Sequence, residues 1–155
     1  MPLPPAEVAT TLRWLDELDE ALGEIADAAL GLHPDVAASV SRAARDVAER
    51  VAHFRRALAG RVELAELLPS RWVPLGHVDI QTAEQLGRSV CRAASLPPEV
   101  VEAAHTAVTE ENDRRAFLRQ VGEVAGVAFV NLARVLWEDH PHLAPPGWRD
   151  SGGHV

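Results

Sequence analysis

From Val8 onward an apolar residue returns at every third or fourth position: Val8, Leu12, Leu15, Leu18, Leu22, Ile25 and Ala29. That is the period of an α-helix with one face turned to a core, and it predicts a helix from Pro5 to about Leu30. Proline suits a first turn, where a missing N–H leaves no bond unmade. "GLHPD" at 31–35 interrupts the pattern, with Gly31 able to cap the first helix and Pro34 to open a second. Val36, Val40, Ala44, Val47, Val51, Phe54 and Leu58 then carry the same period until Gly60 stops it. So short a break predicts an antiparallel hairpin of two long helices.

"RVELAELL" at 61–68 is a short helical candidate, and "PSRWVPLGHVD" at 69–79 is the longest irregular stretch. A third helix is predicted from about Ile80 to Ser95, with Asp79 or Thr82 as its N-cap. "SLPPEVV" at 95–101 restarts a helix that runs to about Val108. "ENDRR" places acids where a helix N-terminus favours them. Leu118, Val121, Ala125, Ala128, Leu132 and Val135 then form a stripe that Val124, Val127, Phe129, Val130 and Leu136 widen almost all round. A helix this apolar belongs at the centre of a bundle or in an oligomer interface. Strand alternation of useful length is absent. The fold class predicted is all-α: an antiparallel bundle of about five helices with a central C-terminal helix.

Charge sharpens the pairing. Residues 7–27 carry seven acids against Arg13, and residues 42–61 carry six arginines against Asp46 and Glu49. Opposite signs on neighbouring helices favour their association, although an exposed pair contributes only about 0–1 kcal/mol. The 155 residues suit one domain, expected over 1–143, followed by a Pro/Gly-rich tail at 144–155. Removing that tail is expected to leave the bundle folded, apart from any contribution of Trp148. The net charge of −8 disfavours nucleic-acid and anionic-membrane partners. A lone cysteine, Cys91, excludes an internal disulfide framework and a multi-thiolate zinc site. The start "MPLPPAEV" has neither the basic nor the apolar region of a secretory signal, which with the above gives a cytoplasmic expectation.

Candidate chemistry is sparse. "LWEDHPHL" at 136–143 gathers acids and histidines, and Asp139, His140 and His142 could approach a metal if Pro141 extends the backbone. The simpler reading is a helix end terminated by Pro141. Glu17, Glu20, Asp46 and Glu49 would lie on facing helices of the hairpin, a cage able to hold Mg²⁺ and the phosphates of a nucleotide. These pairs resemble the acidic pairs of the all-α nucleoside triphosphate pyrophosphohydrolases, which implies metal-dependent nucleotide hydrolysis. Asp46 and Glu49 run in the reverse order to that family's second pair, and the chain has no lysine. Glu102 and His105 have the spacing used in carboxylate-bridged di-iron bundles, but the motif occurs once. His53 reads as a boundary histidine and Cys91 as a small buried hydrophobe.

Gly122 and Gly126 lie on one helical face. Each costs about 1 kcal/mol relative to alanine, so a tight helix crossing within the bundle is expected there, with a homodimer seam and then a ligand groove as alternatives. Trp72 and Trp148, in proline-bounded segments, are expected to staple loops to the bundle, with anchoring of a partner as the alternative. Catalytic, cofactor-binding and metal residues are therefore assigned to none. The expected function is a non-enzymatic interaction or regulatory module that binds a protein partner or itself, with a carboxylate-based, metal-dependent enzyme as the alternative.

Overall fold

A computed structural model describes residues 6, 8–69 and 72–148. Those residues form helices and no strand: α1 (Ala9–Ala29), α2 (Pro34–Leu58), α3 (Ile80–Ala93), α4 (Pro98–Ala107), α5 (Glu111–Ala128) and α6 (Arg134–Asp139). A π-helical turn, Phe129–Ala133, joins α5 to α6, and a 3₁₀ turn, Pro141–Leu143, follows. The all-α bundle is thus as the periodicity predicts. Pro5, proposed to open the first helix, lies outside the described residues.

Each boundary has a chemical cause. His33 caps α2 by accepting from the Asp35 N–H, and Pro34 takes the first helical position. Gly60, at φ 76°, ends α2 in the left-handed conformation that a side chain disfavours. Beside it the Arg61 N–H reaches back to Arg56 O and the Gly60 N–H to Ala57 O. Asp79 caps α3; hydrogen bonds from the Thr82 hydroxyl and N–H hold its carboxyl below the usual range. The Asp113 and Asn112 N–H groups do the same for Glu110 at the start of α5. Because both shifts are downward, these caps persist above the unfolded carboxylate range and fail only as pH falls through the folded values.

α1 and α2 pack along their length, α3 lies on α1, α4 bridges α1 and α5, and α5 lies on α2. The π turn reaches α2 and α3, so the C-terminal helix touches three of its neighbours. Phe54 of α2 and Phe117 of α5, both fully buried, meet edge to face at 5.4 Å. The charge pairing is also realised: Arg55 holds Asp16 at 2.6 Å and Asp19 at 2.9 Å. Burial opposes the Arg55 charge, but those two carboxylates outweigh it and raise its pKa. Glu20 and Glu24 turn instead to Arg92 of α3.

Three expectations need correction. "RVELAELL" forms turns and no helix. It is confined between Gly60 and Pro69, and a helix so short is marginal in isolation. Its Leu64 and Glu66 carbonyls bond to Gln120 and His53 instead.

The stripe of the C-terminal helix also shifts. Val135 is only half-buried, as are Leu118 and Ala125 ahead of the π turn, and the buried stripe is Phe117, Val121, Val124, Ala128, Leu132 and Leu136.

Finally, Gly122 and Gly126 serve no close crossing within the chain, since a Cβ built on either meets nothing within 4 Å. Gly122→Ala and Gly126→Ala should therefore leave the melting temperature unchanged or raise it, by up to about 1 kcal/mol in stability. A thermal melt showing clear destabilisation would count against this open geometry.

Candidate functional site

The apolar stripe of α2 has three buried polar members, Asp46, Arg50 and His53, the first two one turn apart. The Arg50 side chain is 3% exposed. Its Nη1 donates to Glu123 of α5 at 3.0 Å and its Nη2 to the Pro69 carbonyl at 2.9 Å. Its Nε has no hydrogen bond but stands 3.6 Å from Asp46 Oδ2. Asn131, inside the π turn, donates to the same Asp46 oxygen at 2.9 Å. One guanidinium therefore serves two carboxylates, with an amide closing the set. π turns recur at functional sites, and here the turn carries the buried amide.

Asn131 does more than close the cluster. Its Oδ1 accepts the Val73 N–H at 3.1 Å, and its backbone carbonyl accepts the Leu75 N–H at 2.9 Å. Upstream, Gln120 donates to the Leu64 and Glu66 carbonyls, and the His53 ring meets Glu66 O at 2.6 Å. The segment between α2 and α3 thus has little secondary structure of its own. Side chains in the core satisfy its backbone, as buried polar groups require.

The product is an exposed aromatic on a fixed mount. Trp72 is 51% exposed, while Pro69 on one side and Val73 and Leu75 on the other are held by Arg50 and Asn131. The expectation that Trp72 staples its loop is therefore corrected. Trp148 does act as a staple, with its ring 5.7 Å from that of Trp137. Next to Trp72, a recess of about 230 Å³ is lined by Arg42, Arg45, Asp46, Glu49 and Val73. Arg42 and Arg45 are exposed and form no ion pair among the described residues.

The four hairpin acids do not converge. Glu20 pairs with Arg92, Asp46 is buried with Arg50 and Asn131, Glu49 edges the recess, and Glu17 borders a small cleft with Arg13 and Pro97. Around "LWEDHPHL", Asp139 pairs with His77 and the His140 ring bonds to the Val78 carbonyl, while His142 stands 6.3 Å from His140, ring centre to ring centre. Among the described residues no three His, Cys, Asp or Glu side chains gather as a metal site would need. Glu102 and His105 are both exposed on α4. Cys91 is half-buried and donates to Leu143 O; burial pushes its thiol pKa up, partly offset by Trp137.

Arg50, Gln120 and Asn131 were missed as site residues in the sequence. Their signal is phase: each sits in the apolar stripe of its helix where a hydrophobic residue belongs, as Arg50 does between Val47 and Phe54. No family model matches this chain, and no curated protein or solved structure proves similar to it, so geometry alone guides the functional reading.

Proposed function

We propose that this protein is a non-enzymatic interaction module that binds a protein partner through the Trp72 segment and the adjoining recess. One observation carries the reading: a half-exposed tryptophan whose flanking backbone is bonded to buried Arg50 and Asn131. Ordering a loop on binding opposes affinity, and a mount already ordered avoids that loss. Tryptophan is also enriched among the residues that dominate binding energy. Arg42 and Arg45 beside it add charge for orienting a partner. No helix among the described residues is long and apolar enough to cross a membrane. The metal-dependent enzymatic alternative gains no support from the dispersed positions of Glu17, Glu20, Asp46 and Glu49.

The test begins with capture on the immobilised full chain and identification of the bound protein, then titration with that partner purified. Trp72→Ala should weaken binding at least about tenfold, the loss expected for a residue that dominates an interface. Its thermal melt should stay near that of the parent chain. Equal binding by both chains would overturn the assignment to Trp72. Nucleotide turnover with Mg²⁺ that disappears in Glu20→Gln would overturn the non-enzymatic reading.

A further inference from the structure

Arg42 and Arg45 open onto the recess that Val73, the neighbour of Trp72, also lines. Three residues apart on α2, they lie on one helical face, and both are exposed. The acids that could neutralise them are engaged elsewhere. Asp46, four residues after Arg42, accepts from Asn131 at 2.9 Å and faces Arg50 Nε at 3.6 Å. Asp19, which borders the α1–α2 groove together with Arg45, pairs with Arg55 at 2.9 Å. Arg13 and Arg88 also lack an ion pair among the described residues, but Arg42 and Arg45 share one recess.

We propose that the recess receives an acidic peptide segment of the partner, its carboxylates on Arg42 and Arg45 and a neighbouring apolar side chain on Trp72. This inference rests on the Trp72 segment being the docking surface and names the chemistry of what docks there. The recess, about 230 Å³, is several times the ~30 Å³ of a water molecule and has room for a side chain. A guanidinium offers a carboxylate two parallel hydrogen bonds in one plane, which suits an interface ion pair.

Two features oppose an acidic ligand. The net charge of −8 repels it at long range, but physiological salt screens exposed charges beyond roughly 8 Å. The two arginines at the contact therefore dominate. Glu49 is the nearer opponent: it is exposed, lines the recess and has no ion pair among the described residues. Its removal should strengthen an anionic ligand and weaken a cationic one, so it reports the sign of what binds.

Fluorescence anisotropy on the full chain tests the proposal with a dye-labelled, glutamate-rich peptide carrying two leucines. The same peptide with lysine at each glutamate, and a single-stranded oligonucleotide of equal negative charge, are the comparison probes. The glutamate peptide should bind saturably and more weakly as salt rises. Reversing both charges, Arg42→Glu with Arg45→Glu, should weaken it at least about tenfold, because like charges then meet. Circular dichroism should show that chain still folded, since neither arginine has an ion pair to lose. Glu49→Gln should tighten binding. A glutamate peptide that fails to bind, or that binds the reversed chain equally, would overturn the proposal. So would weaker binding in Glu49→Gln, or a preference for the lysine peptide or the oligonucleotide. The two readings fail separately. Binding lost in Trp72→Ala but kept on reversing the arginines overturns the acidic ligand and keeps the Trp72 site. The opposite result overturns the Trp72 site and keeps the acidic ligand.

Discussion

Arg50→Ala is expected to lower stability by about 3–5 kcal/mol, the loss typical when one partner of a buried ion pair is removed. The size follows from what is stranded. Asp46 and Glu123 lose their cation, and the Pro69 carbonyl loses its donor. The Asn131 amide remains, but one neutral donor does not offset a buried carboxylate. Equilibrium urea unfolding of the parent and variant chains measures the loss. Adding Asp46→Asn and Glu123→Gln to Arg50→Ala removes the stranded charges and should recover part of it. A single-variant loss below about 1 kcal/mol would mean that the cluster behaves as a surface pair.

Phe54→Ala is expected to cost about 3–5 kcal/mol by a different route, through lost apolar burial and an unfilled cavity. Phe54 is fully buried at the contact of α2 with α5, where its ring meets Phe117 edge to face. Nothing polar is stranded, so no second substitution analogous to the charge removal above should rescue it. Phe54→Leu keeps most of the volume and should cost less than about 1.5 kcal/mol. The same urea titration distinguishes them, and a near-neutral Phe54→Ala would show that the two helices collapse freely onto each other.

The bundle was legible in the sequence where one rule acted alone. Apolar spacing located the helices, and Pro34, Gly60 and Asp79 marked ends whose chemistry needs only neighbours a few residues away. The candidate site obeyed no such local rule. Arg50 and Glu123 stand 73 residues apart, and Asp46 and Asn131 stand 85 apart, so whether each polar group is buried with a partner depends on the completed fold. The π turn was hidden because averaged spacing absorbs one inserted residue without a trace. "RVELAELL" misled for a related reason: its periodicity is helical, but distant donors claim its carbonyls. Trp72 and Trp148 share proline-bounded surroundings, yet one faces outward and the other lies on Trp137.

The mount of the Trp72 segment has a consequence for how the molecule breathes. A helix can fray from an end, losing one bond at a time, because its bonds are local. The stretches 62–69 and 72–75 have little such ladder, and their anchors are Arg50 and His53 of α2, Gln120 of α5 and Asn131 of the π turn. Lifting them would leave several buried donors and acceptors empty at once, each at a cost of about 1–3 kcal/mol. Their opening is therefore tied to the opening of the whole domain. Amide hydrogen exchange is therefore expected to place these irregular stretches in the slowest cooperative unit, with the ends of α1 and α4 exchanging sooner.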